Sequence, residues 1–158
     1  MKKQLIIDII SFLLILLFVY AGVSKLADYQ KFRVEIGKSP LITSFASWVA
    51  WFVPTIEIII SLMLATRKWR LWALYASFSL MVMFTVYIIS ILKFSSYIPC
   101  SCGGILQDMT WGEHLKFNIG IVVLSLLGII LESINRKGIT KEDTLDSGHA
   151  TPIINSIQ

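Results

Sequence analysis

Charge is scarce in this chain: Asp, Glu, Lys and Arg supply 15% of the 158 residues, against 56% hydrophobic. Soluble domains run at about 25% charged and about 45–50% apolar, so neither a disordered chain nor a soluble nucleic-acid-binding domain fits. Glycine and proline are also few, nine and four, which excludes a collagen-like chain. No internal repeat or low-complexity tract is present, and no ring of charges or filter-like stretch suggests a channel. Cysteine and histidine are limited to two residues each, and with His149 far along the chain from the other three a fourth strong ligand for zinc is less evident. What is abundant is apolar length, with a mean hydropathy of +0.75. The net charge of +4 and pI near 9.1 then read as lysines and arginines flanking membrane segments. The expectation is one integral membrane domain.

A membrane helix needs about 20 mostly apolar residues, since each rises about 1.5 Å through about 30 Å of hydrocarbon. Four stretches qualify: 5–26, 45–65, 71–92 and 113–131. Lys2 and Lys3 before the first run resemble a signal-peptide start, but the run is too long for an h-region and lacks a small-x-small cleavage site. It is read as a retained helix. Trp48 and Trp51 near one end of the second span, Trp69 and Trp72 around the start of the third and Trp111 before the fourth suit an interfacial belt. Between the first two spans, Tyr29, Phe32 and Ile36 recur at helical spacing among charges until Gly37 and Pro40. This predicts a short amphipathic helix over 28–38 at the outer interface. The fold class expected is all-α, a four-helix membrane bundle over 1–132. A polar, mobile cytoplasmic tail follows over 133–158.

Four crossings put both termini on one side. With that side cytoplasmic, the inner segments hold Lys2, Lys3, Arg67, Lys68, Arg70, Arg136, Lys137 and Lys141. The outer segments hold Lys25, Lys31, Arg33, Lys38, Lys93 and Lys116. The bias favours termini inside by a narrow margin.

Cys100 and Cys102 then fall on the outer side, in the Pro99-Cys100-Ser101-Cys102-Gly103-Gly104 loop, where disulfides persist. A bent chain brings residues two apart within the roughly 4.4–6.8 Å between α-carbons that a disulfide tolerates. The small ring so formed is strained and easily reduced, and it closes too short a loop to serve as a staple. The pair therefore points to redox chemistry. Thr110-Trp111-Gly112-Glu113 matches a capping box opening the fourth helix, with His114 in its first turn. If the loop folds back over that helix end, its partial positive charge favours a thiolate, and His114 is placed to shuttle the proton. The plainer readings make Glu113 only a cap and His114 only an interfacial polar residue. His149, in the tail, is read as uninvolved.

Glu57 lies near the middle of the second span, three residues after Pro54. An ionised group there costs about 2.5–3.5 kcal/mol on insertion scales, so it should face the bundle interior or be protonated. Pro54 leaves a carbonyl one turn earlier without its partner and opens room for a kink or polar pocket. Candidate neighbours are Tyr20 and Ser24, then Ser77, Ser79, Thr85 and Tyr87, then Asn118. Glu57 reads either as a proton acceptor beside a quinone or as a protonated acid cross-linking helices.

Three motifs together resemble a known family. Gly22-Val23-Ser24-Lys25-Leu26 is similar to the G-x-x-K-L signature of DoxX-like membrane proteins, and Pro54-Thr55-Ile56-Glu57 to their Pro-x-x-Glu segment. Cys100-Ser101-Cys102, followed by Trp111 and Asn118, resembles the Cys-x-Cys segment of the MauE branch, with Gly103 where that branch often has an aromatic residue. The resemblance spans roughly residues 5–131. It implies a four-helix bundle in a bacterial inner membrane, acting in methylamine utilisation through disulfide formation or electron transfer during maturation of a periplasmic enzyme. Cys100 and Cys102 would exchange disulfides with a periplasmic thioredoxin-like or client thiol protein. Electrons would pass to a quinone near Glu57, with Tyr20 and Lys25 as further cofactor-binding candidates. Four-helix disulfide generators typically carry two cysteine pairs; one pair here requires a partner thiol protein or an adjacent quinone. Two other functions compete. Cys100, Cys102, Met109 and His114 form a soft ligand set suited to Cu(I), and a small bundle also suits a non-catalytic subunit of a larger membrane complex.

Overall fold

The computed structural model describes residues 2–37, 43–94 and 110–149, and among them every regular element is helical. Helix α1 runs Lys2–Ala27, α2 Tyr29–Gly37, α3 Ala46–Ala65 after a 3-10 turn at Thr43–Phe45, α4 Arg70–Phe94 and α5 Trp111–His149. Four of these are long and apolar enough to cross a membrane, over Lys3–Ala27, Ala46–Ala65, Arg70–Lys93 and Gly112–Gly138. These are the four spans expected from hydropathy, and the short α2 falls between the first two of them. Phe32 and Ile36 of α2 are buried against Ala46 and Ala50 in the first turns of α3, as the spacing of its apolar residues predicts.

α1 packs along α3 and α4 along α5. Close approach depends on glycine in both pairs. A methyl group on Gly22 would lie 3.2 Å from the carbonyl oxygen of Pro54 and 3.1 Å from Ile58 Cγ1, and one on Gly128 would lie 3.0 Å from Leu74 Cδ2. Small residues at such crossings let membrane helices gain dispersion contacts, because lipid tails supply no hydrophobic drive between them. The shared core gathers Leu14 and Phe18 from α1, Ile60 and Leu64 from α3, and Leu74 from α4. Hydroxyls inside the spans donate to their own helix: Ser77 to Ala73 O, Thr85 to Met81 O and Ser125 to Ile121 O. In hydrocarbon, where water is not available to satisfy them, such back-bonds are the near solution.

The end of the bundle that carries the α3–α4 turn is tied by polar contacts. Arg70 Nη1 donates to Asp8 Oδ1 at 2.7 Å, Gln4 donates to the same oxygen, and Asn135 donates to Gln4. Arg136 reaches the carbonyls of Arg67 and Lys68 and also pairs with Glu132 one turn back. These bonds give the polar residues after Leu131 partners on a continuing helix. α5 therefore outruns its apolar stretch, whose end marks the limit of membrane-compatible sequence and not the end of the helix.

Candidate functional site

At the opposite end, the two residues that follow the close α1–α3 approach meet. Gly22 lies against Pro54 and Glu57, and Lys25 stands three residues beyond Gly22 on the same face of α1. Helical side chains lean toward their own N-terminus. In two antiparallel helices, Lys25 thus leans inward from the end of α1 while Glu57 leans outward along α3. Their atoms Nζ and Oε1 are 2.5 Å apart, and the side chains are 13% and 1% exposed. The G-x-x-K and Pro-x-x-Glu segments are two halves of one contact: the glycine allows the approach and the charges complete it.

The pair borders a cavity of about 370 Å3 lined by residues of all five helices. The Lys25 ammonium lies 5.8 Å from the ring centre of Phe32 and 5.7 Å from that of Phe84, within cation–π range of both. Glu57 Oε2 is buried with no hydrogen-bond partner among the described residues. Tyr87 of α4 and His114 and Asn118 of α5 add polar atoms to walls that are otherwise apolar. Clefts of about 300–1,000 Å3 with apolar walls and a few convergent polar groups are the usual form of small-molecule sites. The lining suits a largely apolar small molecule with a hydrogen-bonding group. Lys25 can donate a hydrogen bond to such a ligand, and the free carboxylate oxygen can accept one.

The structure thus brings together Lys25, Glu57, His114, Tyr87 and Asn118 from four helices. Several other candidates among the described residues are placed elsewhere. Tyr20 is 40% exposed and is not among the residues lining the cavity, Ser77 and Thr85 bond to their own helix, and Ser79 is exposed. Cys100, Cys102 and Met109 lie outside the described residues. The segment that contains the cysteines leaves α4 after Phe94 and returns at α5, whose start is capped as expected. Thr110 N and Oγ1 both donate to Glu113 Oε2, at 2.9 and 2.8 Å, and Glu113 N donates to Thr110 Oγ1 at 3.4 Å. That cap holds the first turn, and with it His114, at the cavity. Sequence reasoning named Lys25 and Glu57 separately and missed their pairing. The shared i,i+3 spacing from Gly22 and from Pro54 was the available signal; the helical spacing of Phe32 marked it for packing and not for contact with Lys25, and no local pattern marks Phe84.

No curated protein and no solved structure matches this chain. A family model does, that of methylamine utilisation protein MauE, over residues 3–131. The matched stretch takes in all of the α1–α3 contact, the cavity and both cysteines, and it stops where α5 leaves its apolar part. The four membrane-crossing helices and this match identify the chain as a multi-pass membrane protein of the methylamine utilisation MauE family.

Proposed function

We propose that this protein is a thiol–disulfide redox protein of a bacterial inner membrane, with both termini cytoplasmic, acting in maturation of periplasmic proteins. The observation that carries the reading is the Lys25–Glu57 pair in a small-molecule-sized cavity, at the bundle end from which the Cys100–Cys102 segment leaves α4. A thiolate of a periplasmic thioredoxin-like or client protein attacks one sulfur of the Cys100–Cys102 disulfide and forms a mixed disulfide. The partner's second thiol displaces it. The partner leaves oxidised, and Cys100 and Cys102 hold two electrons and two protons as thiols. A quinone bound in the cavity would supply a two-electron, two-proton acceptor for those thiols. Lys25 would orient a carbonyl oxygen of the ring, Glu57 would take up a proton at Oε2, and His114, which lines the same cavity, would pass protons on.

Trapping with a membrane-impermeant thiol reagent in intact cells tests this. Cys100 and Cys102 are expected to label only after reduction. With Cys100→Ser or Cys102→Ser, the remaining cysteine should accumulate a mixed disulfide with its partner. Free labelling before reduction, with bound copper, would replace the redox reading by Cu(I) handling. An absence of labelling after reduction would remove the extracytoplasmic site altogether.

A further inference from the structure

At one end of the bundle the cavity is lined by both α3 and α4. Near the 66–69 turn the two helices are held together through Leu64, Ala73 and Leu74 in the core. Toward the other end the same two helices line the cavity, through Val53 and Glu57 of α3 and Phe84 and Ile88 of α4. Two residues belong both to the lining and to the outer surface of the bundle: Phe52 of α3, 60% exposed, and Met83 of α4, 54% exposed. Along a helix rising about 1.5 Å per residue, Phe52 stands about 9 Å from the start of α3 and Met83 about 16 Å from the end of α4. Both depths lie inside a hydrocarbon core about 30 Å thick. Phe32 and Ile36 of α2, packed on the first turns of α3, line the cavity's outer end.

From this geometry we infer that the cavity is reached sideways from the bilayer, through the crevice between α3 and α4 with Phe52 and Met83 as its rims. Its occupant is a lipid-dissolved quinone with a long apolar tail. The inference rests on the quinone reading above and adds the route and the tail. A volume of about 370 Å3 takes a substituted ring but not a long hydrocarbon chain, so the tail must leave the cavity, and the apolar crevice is where it can do so without meeting water. The ring then lies against Lys25 and the unpartnered Glu57 Oε2, the polar atoms at the inner wall. Met is a fitting rim residue, because its unbranched thioether adapts to a chain passing over it.

Binding of a decyl-substituted benzoquinone and of the same ring without its tail is measured by titration calorimetry on the full chain in nanodiscs. For the wild type, both should bind, the tailed compound more tightly. Met83→Trp, which fills the crevice, should weaken the tailed compound about tenfold, the equivalent of about 1.4 kcal/mol, and leave the tail-less one within about twofold. Met83→Ala should weaken neither by more than about twofold. Should Met83→Trp fail to fold, Phe52→Trp narrows the crevice from α3 and is read the same way. If the wild type binds both compounds and the bulky rim variants weaken both equally, or neither, the lateral route is overturned while the quinone reading stands. If the wild type binds neither compound, the quinone reading falls and takes the route with it.

Discussion

Lys25 and Glu57 are costly residues to place at membrane depth singly and tolerable as a pair, because each supplies the countercharge that the hydrocarbon cannot. Breaking a buried pair by removing one partner leaves an uncompensated charge, at about 3–5 kcal/mol, whereas replacing both by apolar or neutral groups is often close to neutral. Lys25→Met alone should therefore destabilise the protein strongly in denaturant or thermal unfolding in detergent, and Lys25→Met with Glu57→Gln should recover most of that loss. Additive effects of the two substitutions would show that the charges do not depend on each other. If the pair also holds a ligand, the double variant should be stable and inactive in disulfide exchange, which separates its structural role from its chemical one.

Among the elements, the α1–α3 contact depends most on a single side chain that is not there. A methyl group at Gly22 meets a backbone carbonyl at 3.2 Å, and a helix backbone cannot yield as a flexible side chain can. Gly128 faces Leu74 Cδ2 and Ile10 Cγ2 instead, ends of side chains that can rotate away. Gly22→Ala should thus cost about 1–3 kcal/mol of overpacking, seen as a lower unfolding midpoint, and Gly128→Ala clearly less. A larger effect at Gly128 would mean that the α4–α5 seam, not the α1–α3 seam, limits stability. The elements also differ in legibility. α2 and the start of α5 were legible because their signals are local: apolar residues three and four apart in one, Thr110 and Glu113 in the other. The end of α5 was not, because hydropathy reports where the bilayer ends, while the helix persists through the bonds of Asn135 and Arg136 to distant residues.

For the whole molecule, the two ends of the bundle are built differently. One carries the Asp8–Arg70 pair and the Arg136 contacts across the 66–69 turn; the other carries α2, the cavity and the capped start of α5. In the proposed orientation, with both termini cytoplasmic, the first end faces the cytoplasm. In a Cys100→Ser/Cys102→Ser background, Lys31→Cys on exposed α2 should react with a membrane-impermeant thiol reagent in intact cells, and Lys137→Cys should react only after lysis. The reverse pattern would invert the protein and put the cysteine pair in a reducing compartment, where a stable disulfide is not expected.

The sequence by itself determined the number and place of the spans, the short α2 between the first two, and the cap of α5. Each depends on residues within a few positions of one another, and membrane insertion responds to local apolar length. Tertiary structure decided which faces of those helices look inward. A span is apolar toward lipid and apolar toward its neighbours, so the periodicity that marks the buried face of a soluble helix is nearly absent. Glu57 and Lys25 announced themselves as polar residues in apolar surroundings, but 32 positions separate them. Only the approach of α1 to α3 at Gly22 made them partners, and only the packing of five helices left a cavity beside them.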